Sequence, residues 1–83
     1  MTKAQAQNIA SILKEKFGGK VEFEKLFKSK RYRFAIVSRK FEKMTLLARQ
    51  DAVWDALTPV LPREVGLDIS LIFTYSPKDL ATV

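Results

Sequence analysis

Four cations, Arg39, Lys40, Lys43 and Arg49, fall in one short stretch where a turn runs into the start of a helix. Free backbone N–H groups at a helix start favour phosphate oxygens, as do lysine and arginine side chains. The stretch is therefore a candidate contact for DNA or RNA backbone, with an affinity that falls steeply with salt. Lys28, Lys30 and Arg31 extend the patch if the preceding hairpin tip lies nearby. Residues 28–49 hold eight cations against Glu42 alone, whereas residues 50–83 hold two cations against five acids. Such asymmetry points one face at an anionic partner. The plainer alternative is a solvated surface that keeps a small protein soluble.

Other chemistry is poorly supplied. The chain has no cysteine and no histidine, which excludes a disulfide framework, a Cys/His zinc site and a cluster held by the chain's own thiolates. Acid–base catalysis would rest on carboxylates, lysine or tyrosine. Glu22 and Glu24 share a strand face, and Asp51 and Asp55 share a helix face at i, i+4. Two oxygens from one element make a poor cation site, and exposed solvation accounts for both pairs. No catalytic constellation emerges, so the sequence predicts a binding protein rather than an enzyme. No G-x-x-G loop of the kind that clamps RNA in KH modules joins the later helices. Phe34, Phe41 and Trp54 fall at core-facing positions instead of forming a stacking row.

The elements that position these groups follow from hydrophobic period. Ile9, Ile12, Leu13 and Phe17 give a helical stripe over Thr2–Phe17, stopped by Gly18-Gly19. Lys20–Phe27 alternates as a half-buried strand with an acidic side, and Lys28-Ser29-Lys30-Arg31 is a polar turn. Tyr32–Ser38 returns as a second strand; its low polarity on both faces places it inside the sheet. From Thr45, a reasonable N-cap, the spacing turns helical, with Leu46, Leu47, Val53, Trp54 and Leu57 on one stripe. Pro59–Glu64 reads as a short helix packed by Val60 and Leu61. Gly66 opens a last strand, Leu67–Tyr75, with Leu67, Ile69, Leu71 and Phe73 on one face and Asp68, Ser70, Ile72 and Thr74 on the other. Ser76-Pro77 ends it.

The order α-β-β-α-α-β, a hairpin followed by a helical crossover, puts the last strand parallel to the second on its free side. The fold class expected is α+β, a three-stranded mixed sheet with helices packed on one face. With 83 residues the chain is expected to form a single domain over residues 1–83, with about 78–83 as a flexible tail. Nothing resembles a signal peptide, and apolar runs fall far short of the ~20 residues that span a bilayer. These features lead us to expect a soluble cytoplasmic protein without a membrane partner.

The run Val37-Ser38-x-x-Phe41-Glu42-x-x-Thr45-Leu46-Leu47-x-Arg49 resembles the core signature of BolA-like proteins, roughly V-S-x-x-F-x-G-x-S/T-L-V-x-R-H-R. Gly66–Pro77 is similar to the family's last strand and its Thr-Tyr-Thr/Ser-Pro ending. The resemblance implies a KH-like α+β fold, which agrees with the topology reached from hydrophobic pattern alone. It also implies a non-catalytic module that partners a monothiol glutaredoxin in iron–sulfur cluster handling. Some members of the family are regarded as nucleic-acid-binding transcription regulators of the stress response.

In the family a histidine just before the last strand can complete the ligand set of a shared cluster; that position falls here on Asp68. Carboxylate is a hard oxygen donor and a weak substitute for imidazole on a thiolate-ligated cluster. The family R-H-R appears as Arg49-Gln50-Asp51, and its glycine after Phe41-Glu42 as Lys43. Asp68 and Arg49 are thus the partner-binding candidates. The expectation is glutaredoxin binding with no ligand donated by this chain and no cofactor bound by it alone.

Overall fold

Thr2 starts the first helix by a capping box: its Oγ1 accepts from the Gln5 N–H, and the Gln5 side chain accepts from the Thr2 N–H. The computed structural model describes residues 1–81, and in it this helix, α1, spans Lys3–Phe17 with Ala6, Ile9 and Leu13 buried. Gly18 and Gly19 both take positive φ and turn the chain into β1, Lys20–Lys25. At Gly19 an added Cβ would lie 2.0 Å from the Val37 carbonyl oxygen, so only glycine fits there.

Strand β1 pairs antiparallel with β2, Tyr32–Val37, and β2 pairs parallel with β3, Ile69–Tyr75. The sheet order is β1-β2-β3, with β2 in the middle as its apolar character requires. A 3-10 turn at Arg39–Phe41 follows β2 and leads to α2, Leu46–Leu57. Thr45 caps α2, its Oγ1 accepting from the Ala48 N–H at 3.1 Å. Helices α1 and α2 cover one sheet face; Ile9, Leu13, Phe34, Ile36, Phe41, Val53, Leu57 and Ile72 form the core beneath them. Each such side chain contributes about 1.5–3 kcal/mol by leaving water. The opposite face exposes Glu22, Glu24, Arg33, Leu71 and Phe73.

The structure differs from the sequence expectations at several local points. Leu46 and Leu47 are 70% and 72% exposed, because they open α2 before its stripe, carried by Val53 and Leu57, meets the core. Pro59 and Val60 belong to an exposed turn; the short helix α3 begins later, at Arg63–Leu67, after Pro62. Gly66 therefore lies in that helix and does not open β3. Within β3 the alternation slips: Tyr32 pairs with Ile69 but Arg33 with Leu71, leaving Ser70 as the extra residue of a bulge. That slip brings Ile69 to the same buried side as Ile72 and Thr74, while Leu71 and Phe73 stay exposed. The segment expected as a tail begins as a short helix, α4, Pro77–Ala81, and residues 82–83 lie outside the described residues.

Candidate functional site

The cations singled out from sequence do not form one patch. Arg39, Lys40 and Lys43 are exposed at the 3-10 turn, where β2 ends. Lys28, Lys30 and Arg31 lie in the β1–β2 turn, at the other end of the sheet. The six residues of β2 separate the two groups by about 20 Å at ~3.3 Å per residue. The hairpin cations therefore cannot extend the turn cluster across a single short contact.

Arg49 leaves the surface altogether. It is 5% exposed, and its Nε donates to the Met44 carbonyl at 3.1 Å. Its guanidinium also donates to the Thr74 carbonyl at 3.1 Å and to Asp79 Oδ2 at 2.7 Å, with the Phe41 ring 5.8 Å away. Arg49 is a structural clamp joining α2, β3 and α4, with its guanidinium turned inward and its Nε and Nη1 donors spent on these partners. The neighbouring Gln50 donates to the Ile72 carbonyl at 2.8 Å. Tyr75 turns its carbonyl to β2, accepting from the Ser38 N–H, so alternation directs Ile72 and Thr74 to the open edge of β3. Two α2 side chains thus occupy acceptors that a foreign strand would otherwise use.

At the 3-10 turn, Ser38 organises the backbone. Its Oγ donates to the Phe17 carbonyl at 2.6 Å and accepts from the Lys40 N–H at 3.2 Å. Lys40 Nζ donates to the Lys16 carbonyl at 2.9 Å, which draws that charge toward the C-terminal end of α1.

At the opposite end, the Asp68 carbonyl accepts from the Tyr32 N–H at 2.8 Å, placing Asp68 beside the first residue of β2, at the turn end of the hairpin. Its carboxylate is paired with the α-amino group of Met1 and remains partly exposed. The tip of this hairpin carries a feature that sequence reasoning missed. Phe27 was expected within β1 but lies beyond it, 89% exposed, with Lys28 Nζ 5.4 Å over its ring. The signal was its position against the polar run Lys28–Arg31, where a strand has no reason to continue.

An iron–sulfur cluster does not fit this chain's own residues. Cysteine and histidine are absent, and among the described residues no three acidic side chains come together as ligands. Asp68 is a single hard donor already engaged by an amine. The carboxylate pairs set aside from sequence as poor cation sites are exposed; Glu22 pairs with Lys20 and Glu24 with Arg33. Among the described residues no helix is long and apolar enough to cross a membrane.

No protein-family model matches the sequence, and no curated protein matches it. Solved structures do match in shape. The BolA domain of SufE1 from Arabidopsis thaliana superposes with a TM-score of 0.72 at 18% identity, covering 95% of this chain and 99% of that one. BolA1 from Arabidopsis thaliana gives 0.69 at 19% identity, over 94% and 98%. A bol-like protein from Babesia bovis gives 0.67 at 17% identity, over 99% and 92%. The element order, the sheet with β2 at its centre and these superpositions together give the chain the BolA-like fold over nearly its whole length.

Proposed function

We propose that this protein is a non-catalytic binding module that partners a monothiol glutaredoxin in iron–sulfur or redox-linked regulation, without donating a cluster ligand. The reading starts from the BolA-like fold and the signature residues around Phe41 and Thr45. The observation that carries it is the end of the sheet where Asp68 meets the hairpin. At that end of the sheet an exposed aromatic, Phe27, lies in the hairpin turn, while Asp68, whose position in BolA-like proteins faces the shared cluster, meets the first residue of β2. An exposed aromatic with few internal contacts is a typical anchor for a protein interface. Asp68, being a carboxylate, contributes polarity at that end and leaves the metal to the partner.

The same geometry weakens the nucleic-acid reading. Arg49 is buried, and the remaining cations are divided between two ends of the sheet. What persists is the exposed trio Arg39, Lys40 and Lys43, too small a patch to hold a duplex firmly at physiological salt.

Gel filtration of the chain mixed with cluster-loaded monothiol glutaredoxin tests the reading. A co-eluting complex, weakened in a Phe27→Ala variant that keeps its thermal stability, is the expected result. Separate elution at all concentrations used would remove the proposal.

A further inference from the structure

An open groove of about 490 Å³ lies where α1 ends and β2 meets the 3-10 turn, far from the hairpin end. Its floor is apolar, formed by Phe17, Val37 and Pro77, and its rim carries Lys20, Arg39 and Lys40. Among the described residues no acidic side chain lines it. The walls are fixed to one another: Ser38 Oγ donates to the Phe17 carbonyl, and the Ser38 N–H donates to the Tyr75 carbonyl at 2.9 Å. Gly19 closes against Val37 too tightly for any side chain. A groove built this way is pre-organised, so little ordering cost opposes a ligand.

We propose that this groove binds an acidic peptide segment carrying an apolar anchor residue, with the anchor on the Phe17–Val37–Pro77 floor and carboxylates on the cationic rim. The charge pattern selects the class. Among the described residues neither Arg39 nor Lys40 pairs with a carboxylate, and the exposed Lys20–Glu22 pair at 3.0 Å exchanges readily. The floor decides between peptide and nucleic acid. A phosphodiester backbone has no apolar group to fill it, and base stacking needs a free aromatic face. Phe17 is the one aromatic among the described lining residues, half-buried and tilted 40° against Phe41 with centroids 5.2 Å apart, so no second ring is there to sandwich a base. The inference stands apart from the glutaredoxin proposal, because the two surfaces occupy opposite ends of the sheet.

The probe is a short synthetic peptide of alternating glutamate and leucine, titrated into ¹⁵N-labelled full-length chain. The expected result is amide shifts concentrated at Gly19, Val37 and Lys40. Binding is expected to weaken about tenfold in a Lys20→Glu/Arg39→Glu variant, as like charges replace complementary ones at the rim. Both positions are exposed, and a dispersed spectrum of the variant verifies its fold. Should that variant fail to fold, the peptide series on the unaltered chain decides: glutamine for glutamate and serine for leucine should each weaken binding. Shifts centred elsewhere would overturn the proposal, as would equal affinity for the serine peptide. So would tighter binding of a single-stranded oligonucleotide of equal charge.

Discussion

The Arg49 guanidinium donates to Asp79 Oδ2 at 2.7 Å, tying the second turn of α2 to the helix that follows the last strand. Asp79 also accepts from the Ser76 N–H at 2.8 Å, and its own N–H donates to Ser76 Oγ at 3.1 Å. An arginine that looks like a surface contact in sequence is here the closure of the fold's C-terminal side.

Replacing Arg49 with methionine keeps length and apolar stem but strands the Met44 and Thr74 carbonyls, the latter buried under α2. A loss of about 2–3 kcal/mol is expected from those acceptors and lost packing. Lysine should rescue only part of it, since it lacks the planar fork. Urea unfolding of the two variants measures this, and a loss within ~0.5 kcal/mol, the range of ordinary surface changes, would mean Arg49 is not a clamp.

The Asp79 carboxyl is held below its ordinary value, first by the Ser76 backbone N–H and then by the Arg49 guanidinium. A lowered folded-state pKa means that the unfolded chain takes up the proton first on acidification. The stabilising contribution is therefore complete above the ordinary aspartate pKa of ~4 and is lost as pH falls through the lower folded value. Thermal melts of the native chain and of Asp79→Asn should differ at neutral pH and converge in acid. A gap that widened in acid would contradict the assignment.

Gly19 and Gly66 should respond oppositely to alanine. At Gly19 φ is +72° and the new Cβ meets the Val37 carbonyl, so a loss of about 1–3 kcal/mol or more is expected. At Gly66, inside α3, an added Cβ meets nothing within 4 Å, and a gain of up to ~1 kcal/mol is expected from helix propensity and a less flexible unfolded chain. Chemical denaturation of the pair settles both signs.

The division of the cations limits any binding to duplex DNA. With Arg39, Lys40 and Lys43 as the contact, log K against log salt should have a slope no steeper than about −3, near −0.9 for each phosphate neutralised. Anisotropy measured across a salt series gives the slope. A value near −6 would require the hairpin cations as well, and would contradict their placement at the far end of the sheet.

Much of this architecture was legible in the chain. Ile9, Leu13 and Phe17 located α1, the low polarity around Phe34 and Ile36 put β2 at the centre, and Thr45 marked where α2 begins. These signals are local and periodic. The site residues depended on contacts distant in sequence. Nothing near Arg49 announces Asp79, thirty positions later, or the Thr74 carbonyl, so its charge read as exposed. Leu46 and Leu47 fit the apolar stripe by spacing, yet the first turn of α2 extends beyond the core. The bulge at Ser70 inverted part of the β3 alternation, because one inserted residue exchanges the faces before and after it.

The central claim, partnership with a monothiol glutaredoxin without ligand donation, is tested most directly by visible circular dichroism during titration into the cluster-loaded glutaredoxin. The native chain should form a complex that leaves the cluster spectrum unchanged, while an Asp68→His variant should shift it. A spectral change with the native chain would mean that a ligand had been exchanged and that Asp68, despite its oxygen donors, reaches the cluster.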